Sequence, residues 1–204
     1  IPTSASKSFF YMKILITGSS GFIGFHLSRK LLSQSHQVFG IDNHNDFYNV
    51  NLKLERKKEL IQYGNFTFKE CDLINNYELE NIFNEFKPEI IINLAAQAGV
   101  RNSSLISNYY IDSNILGFLN LIGLAKKNNI KKFIYASSSS VYASSKQIPF
   151  SEKEENLMPI SLYGKTKLAN EKIADLISKT EEIQFIGLRF FTVYGTHGRP
   201  DMAY

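Results

Sequence analysis

The sequence predicts an α/β fold, a doubly wound parallel sheet with helices on both faces. Three observations predict it. Short apolar runs alternate with segments of helical spacing along nearly the whole chain, the pattern of strands joined by right-handed crossovers. The first run, Ile14 to Ile16, ends in a turn where Gly18, Gly21 and Gly24 are spaced three apart. The second run ends at Asp42, which falls ~20 residues beyond the glycine turn, where an acid ordinarily receives ribose hydroxyls.

The glycine turn has a strand before it and a helix after it, the context that makes such a triplet a dinucleotide loop. Gly18 takes the positive φ of a sharp turn, Gly21 lets the backbone approach a pyrophosphate, and Gly24 lets the helix pack on the strand. Phe22 and Ile23 open the helix, whose N-terminal N–H groups attract phosphate. Phe22, Ile23, Leu27, Leu31 and Leu32 carry its helical spacing. Gln37 to Ile41 is the second strand, and 43–49 a loop. The Asp42 carboxylate accepts two hydroxyl bonds and repels a 2′-phosphate, which favours NAD over NADP. A turn-capping Asp is the alternative.

Leu52 to Tyr63 is a charged helix, and Phe66 to Lys69 a third strand ending at Cys71-Asp72-Leu73. Asp72 faces an adenine or caps the helix that starts near Asn75. Pro88 ends that helix. Glu89 to Leu94 is a fourth strand, running into Ala95-Ala96-Gln97-Ala98-Gly99, whose small side chains let a ligand lie against the backbone. One long helix is expected from Ile106 to Asn128. Asn114 lies within it, a weak helix former that bonds to the sheet, holds a water or is exposed. Lys132 to Ala136 is the fifth strand, followed by Ser137-Ser138-Ser139-Ser140. Residues 149–159 form a polar loop, Tyr163 to Lys179 the last helix and Ile183 to Leu188 the sixth strand. The architecture is Rossmann-like.

Composition sets bounds. The chain has 204 residues, 44% of them hydrophobic and 21% charged, which suits one domain and the beginning of a second. A net charge of +4 permits an anionic ligand, but no basic patch interleaves with aromatics, so nucleic acid is not a predicted partner. The basic runs 53–58 and 126–132 are expected to be solvated helix faces and ends. The single Cys71 excludes an internal disulfide, suits a reducing cytoplasmic compartment and is expected to pack rather than react. His26, His36, His44 and His197 lack metal-ligand spacing and are expected at the surface or in loops. No run reaches the ~18 apolar residues of a membrane helix. Residues 1–11 precede Met12 and are expected to be an extension or tag.

Tyr163 and Lys167, in Tyr-Gly-Lys-Thr-Lys, share one helix face at i, i+4. An ammonium nearby favours the phenolate and lowers a tyrosine pKa from about 10 towards working pH. Such a phenol removes a proton from a sugar hydroxyl and returns it. A serine from the end of the fifth strand bonds the same oxygen. Ligands of open α/β sheets sit at these carboxyl ends.

Four passages resemble the extended short-chain dehydrogenase/reductase family: Thr17 to Gly24, Asn93-Leu94-Ala95-Ala96, Ser137 to Tyr142 and Tyr163 to Lys167. Within it, Gly40 to Tyr48, Leu94 to Arg101 and Val193 to Ala203 look most like UDP-glucuronate 4-epimerases. The resemblance implies a tightly held NAD that is not consumed. Tyr163 takes the proton from the sugar 4-hydroxyl, hydride passes from C4 to the nicotinamide, and the 4-keto sugar turns before hydride returns. Lys167 binds the nicotinamide ribose and tunes Tyr163, and Ser138 is the catalytic hydroxyl. Expected cofactor contacts are the glycine loop with Phe22 and Ile23, the pairs Asp42-Asn43 and Asp72-Leu73, then Leu94, Ala95, Ala96, Asn114, Tyr163 and Lys167. Ser139, Ser140 and Thr192 are expected at a substrate carboxylate, and Arg199 at a diphosphate or carboxylate. Ala143 replaces a usual glycine, and Thr196-His197 replaces a usual Pro-Trp.

The resemblance also implies a division into an NAD-binding domain over 12–190 and the start of a substrate-binding region over 191–204, the rest of that domain being largely absent. A homodimer through a four-helix interface is implied, using 106–128 and 161–179 of each subunit. Three readings stay open: the glucuronate enzyme, a sister UDP-glucose 4-epimerase or 4,6-dehydratase, and a non-catalytic NAD-binding module. The dehydratase is disfavoured, because resembling enzymes carry Asp-Glu near Ser139-Ser140.

Overall fold

The structure, a computed structural model, describes residues 11–99 and 107–198. Six strands form one sheet in the order β3-β2-β1-β4-β5-β6, and every pairing is parallel. They are β1 (Lys13–Thr17), β2 (Gln37–Asp42), β3 (Phe66–Glu70), β4 (Ile90–Asn93), β5 (Lys132–Ser138) and β6 (Gln184–Phe190). The helices are α1 (Phe22–Ser33), α2 (Val50–Leu60), α3 (Asn76–Phe86), α4 (Ser107–Ile111), α5 (Gly117–Lys127) and α6 (Leu162–Ser178). The chain order reverses between β1 and β4, which opens a crevice at their carboxyl ends.

Strand periodicity sends alternate side chains to opposite layers. On β1, Ile14 and Ile16 pack under Phe25 and Leu32 of α1 and Leu60 of α2. Leu15 faces the other layer, where Leu79 and Phe83 of α3 meet Phe118 and Leu121 of α5. Phe133 of β5 is fully buried there, edge-on to Phe118 and 5.4 Å from the Phe185 ring. Burying such rings supplies roughly 1.5–3 kcal/mol each.

Caps close the helices as the sequence chemistry demands. Asn49, Asn75 and Ser161 accept backbone N–H bonds at the starts of α2, α3 and α6. Asn75, not Asp72, therefore caps α3. Asp72 instead accepts from the Asn43 amide at 2.7 Å and the Ile74 N–H at 3.1 Å.

The single helix expected over 106–128 is corrected. Ile106 lies outside the described residues, and the rest is α4, a π-helical stretch over Asp112–Leu116, and α5. The extra residue of the wider turn brings buried Asn114 into contact with the loop after β4. Its Oδ1 accepts the Gln97 N–H at 2.8 Å, and its Nδ2 donates to Gln97 O at 3.1 Å and to Thr166 Oγ1 at 3.0 Å. Uniform helical spacing hides such a bulge. The fifth strand also runs two residues further than expected, so Ser137 and Ser138 belong to it.

Cys71 is buried, and burial, with the nearby Glu78 carboxylate, pushes its thiol up to about 12. It packs, as the sequence suggests.

Candidate active site

A cavity of about 650 Å³ runs along the carboxyl ends of the strands, from the glycine turn to α6. At its floor two backbone segments approach closely. Gly18 has φ +70°, and a Cβ there would stand 2.7 Å from Ala95 N. The Ala95 N–H in turn donates to Thr17 Oγ1 at 3.2 Å, and Thr17 donates to Asn93 Oδ1 at 2.5 Å. A Cβ on Gly24 would fall 2.0 Å from Gly18 O, so α1 sits directly on the turn. Helix α1 begins at Gly21 with no side chain capping it. Its first N–H groups are therefore left to an anion.

Asp42 ends β2 at one end of the cavity, nearly buried. Its Oδ2 accepts the Ser20 N–H at 3.2 Å and its Oδ1 the His44 N–H at 3.0 Å. The acid thus caps a turn, one of the two readings the sequence left open, and also lines the cavity. Asn43, Asp72 and Leu73 line the same end, and Leu94, Ala95 and Ala96 line the middle.

At the other end α6 presents Tyr163 and Lys167. The Lys167 ammonium lies 5.8 Å from the centre of the Tyr163 ring. Burial alone pushes that ammonium down to about 8. Desolvation penalises the charged form, and among the described residues no carboxylate offsets it. Ser138, Ser139, Ser140 and Thr192 line the wall at this end. Ser138 Oγ donates to Ser140 Oγ at 3.1 Å and accepts the Ser140 N–H at 3.1 Å, capping a short 3₁₀ turn over Ser139–Tyr142.

The serine wall is braced from behind. Glu171, two helical turns beyond Tyr163, accepts from Ser137 Oγ and from Arg189 of β6 through Nε at 3.0 Å and Nη2 at 2.8 Å. Arg189 also donates to the Tyr142 hydroxyl at 2.6 Å. Fork-to-carboxylate bonding of this kind fixes orientation as well as charge, and bonding to Glu171 raises the Arg189 guanidinium above its ordinary range.

Most expected residues come together, and some do not. Gly18, Gly21, Phe22, Ile23 and Gly24 all line the cavity. Asn114 is not among the lining residues; its neighbour Ser113 is. Arg199 lies outside the described residues, as do Val100 and Arg101. His44 lies in a loop, as expected, though not at the surface, and one solvated-face expectation is corrected. His44 is buried, with Nδ1 2.8 Å from Glu70 Oε2, Nε2 3.1 Å from Ser20 Oγ, and its ring stacked on Phe68. The 53–58 run is not a solvated face throughout, since Lys53 and Arg56 are buried.

Sequence reasoning missed Lys53, which lines the cavity and donates to Asn45 O at 2.8 Å and Asn45 Oδ1 at 2.7 Å. It also missed Gln97 and Arg56. A signal existed: Lys53, Arg56 and Leu60 stand at i, i+3 and i+7, so both cations share the stripe of the buried leucine. Among the described residues, no group of three or more His, Cys, Asp and Glu is placed to hold a metal ion. No helix among them is long and apolar enough to cross a membrane.

Comparison with known proteins agrees with this geometry. The family described as "NAD dependent epimerase/dehydratase family" matches residues 14–203. Protein CapI of Staphylococcus aureus is 50% identical over 192 residues, which is 94% of this chain and 57% of that protein. UDP-glucuronate 4-epimerase 2 of Arabidopsis thaliana is 42% identical over 194 residues, 95% of this chain and 44% of that one. The crystal structure of a mutant UDP-glucuronic acid 4-epimerase from Bacillus cereus superposes with a TM-score of 0.87 at 36% identity. That structure holds UDP-4-deoxy-4-fluoro-glucuronic acid and NAD; the match covers 94% of this chain and 60% of that one. The chain thus spans about 44–60% of the relatives it matches.

Two expectations follow from the geometry. Gly24→Ala forces its Cβ into Gly18 O and should cost about 1–3 kcal/mol in denaturant unfolding, the range of overpacking, while displacing the cradle and abolishing NAD binding by calorimetry. Full NAD affinity in the variant would show that the turn is not the cradle. Lys167 should titrate with a midpoint near 8 in NAD-free protein, measured by NMR of labelled lysine side chains. Its folded pKa is depressed, so the ammonium is lost as pH rises through 8, well before an exposed lysine. A midpoint at the ordinary value of 10.5 would show that Lys167 is solvated.

Proposed function

Since the chain belongs to the NAD dependent epimerase/dehydratase family, we propose that it carries the cofactor half of an enzyme that inverts C4 of a UDP-sugar, and that the sugar is UDP-glucuronate. The observation that carries this reading is the shared wall at the α6 end: Tyr163 and Lys167 line one cavity with the hydroxyls of Ser138, Ser139, Ser140 and Thr192.

The residues fit NAD. A Cβ on Gly18 would meet the Ala95 backbone and one on Gly24 the Gly18 carbonyl, so the turn closes as bare backbone along the cavity, and the uncapped start of α1 suits a diphosphate. Asp42 would accept the adenosine ribose hydroxyls, and Lys167 would donate to those of the nicotinamide ribose. Bound NAD supplies a hydride acceptor and donor. Tyr163 takes the proton from the sugar 4-hydroxyl and gives it back, acting as base and then acid. The Lys167 ammonium favours the phenolate, and its ribose bonds would offset the desolvation that lowers it. Ser138 donates to the same sugar oxygen. Ser139, Ser140 and Thr192 offer a carboxylate hydroxyl donors. No acid stands at 139 or 140, so the elimination that defines a dehydratase lacks its proton donor there. Arg199 is proposed for the anionic end of the substrate, from its sequence position alone.

Incubating the protein with UDP-glucuronate and no added NAD, followed by NMR, should produce UDP-galacturonate and reach the same mixture from either sugar. Tyr163→Phe should lower turnover at least ~100-fold, at the low end for a general acid–base residue, while the NAD carried through purification stays constant. Turnover of UDP-glucose alone would reject the glucuronate assignment. Unchanged NAD binding with no turnover of either sugar in the native protein would support a binding module instead.

We also propose a homodimer. Tyr109 and Ile111 of α4, Leu119 of α5 and Leu176 of α6 are 63%, 41%, 40% and 66% exposed. Helices α4 and α6 meet through the Tyr110 and Tyr163 rings, 6.4 Å apart, and α5 continues the α4 segment, so two copies would bury one another's apolar residues as a four-helix interface. Sedimentation equilibrium should give twice the chain mass, and Leu119→Lys should halve it; a native monomer at micromolar concentration would refute the dimer.

A further inference from the structure

Arg56 is the most buried charged side chain of the described residues, 1% exposed, and its partners are all neutral. Nη1 donates to Ser20 O at 3.0 Å and to the Tyr48 hydroxyl at 2.7 Å. Nη2 donates to His197 O at 2.8 Å. Nε is buried and has no hydrogen-bond partner among the described residues. A guanidinium stays charged at every working pH, and burying it without a carboxylate is costly. What it gains is reach. Three acceptors from three separate segments converge on one planar group: the glycine turn, the loop after β2, and the chain after β6.

The last of these segments, 195–198, lies as a strap across the first turns of α1. The His26 ring nitrogen Nε2 meets Thr196 O at 2.7 Å and donates to it, since a carbonyl only accepts. The His197 ring packs 5.0 Å from Phe25 and 5.9 Å from His26. A Cβ on Gly195 would sit 3.7 Å from the Phe22 ring. None of residues 195–198 lines the cavity, whereas Thr192 and Val193, just before them, do. The strap is thus attached to the outer side of the helix whose N-terminus forms the inner cradle. Arg56 joins its backbone to the carbonyl of Ser20, within that cradle.

We propose that Arg56 is a positioning residue that couples occupancy of the glycine turn to the order of the 195–198 strap, and through it to Thr192 at the sugar end. An anion on the cavity side of the turn faces a permanent positive charge behind Ser20, and their attraction strengthens as the site desolvates. Ligand binding fixes the Ser20 peptide. The fork then holds His197 O in register, because a planar guanidinium cannot move one bond without the other. The two sites are linked by one two-ended contact, and the coupling is reciprocal. This inference rests on NAD binding in the cavity, not on the identity of the sugar.

Amide hydrogen exchange tests it without turnover. In the native protein, saturating NAD should slow exchange at 195–198 about fivefold or more, the lower end of ordinary coupling, together with slowing at 18–24. In Arg56→Met and Arg56→Lys the slowing at 18–24 should persist and that at 195–198 should vanish. Lysine keeps the charge but cannot span both carbonyls. A merely structural Arg56 would raise exchange in both segments equally with and without NAD. Should the Met variant fail to fold, the Lys variant and the native comparison decide alone. Unchanged exchange at 195–198 when NAD binds the native protein overturns the coupling. Retention of the effect in Arg56→Lys overturns the fork as its carrier. Absence of any slowing at 18–24 overturns the cofactor site itself, a separate failure.

Discussion

The contact between Gly18 and the backbone of Ala95 governs this molecule. It presses the ends of β1 and β4 together where the strand order reverses, and it leaves no volume for a side chain at Gly18. Everything that faces the cavity takes its position from that seam. Helix α1 can sit on the turn only because Gly24 has no Cβ, and Asp42 reaches the turn only because Ser20 stands where the seam puts it. The small residues Ala95 and Ala96 therefore serve two ends: they admit the turn from one side and leave the cavity open on the other.

A second tier of bonds holds the reactive end. Glu171 and Arg189 tie α6, β5, β6 and the 3₁₀ turn into one unit. Asn114 ties the loop after β4 to α6 through Thr166, which in turn donates to Tyr163 O at 2.8 Å. The tyrosine and its lysine are thus placed by buried polar bonds from both sides of the crevice. Such networks are costly when incomplete and specifying when complete. Here each ends on the helix that carries Tyr163.

Much of this was legible in the sequence because it follows from local chemistry. Alternating apolar runs named all six strands, and the glycine spacing named the cradle. The i, i+4 spacing of Tyr163 and Lys167 placed both on the cavity. The rest depended on contacts that join separate segments, from 8 to 141 residues apart. Charge made Lys53 and Arg56 look solvated, yet their acceptors are loop carbonyls and hydroxyls that no local pattern reveals. His44 lies in the loop the sequence indicates, but its burial was not legible, because its two ring nitrogens find Ser20 and Glu70, residues 24 and 26 positions away. The π turn at Asn114 was invisible because one inserted residue shifts helical periodicity too little to register.

The seam also bears on how the chain acquires its site. Thr17 and Asn93 meet across a separation of 76 residues. On a growing chain β1 and β2 are both available to pair, with the glycine turn already between them, before the segment that completes the cavity floor, which follows β4. Parallel pairing across so long a connection is slow, because loop closure is paid before contacts reward it. The nascent N-terminal third therefore exposes the inner edge of β1, Ile14 to Ile16, an apolar edge with free backbone donors, until its partner strand is synthesised. Protection of that edge during synthesis is a demand that the finished structure, with β1 at its centre, no longer displays.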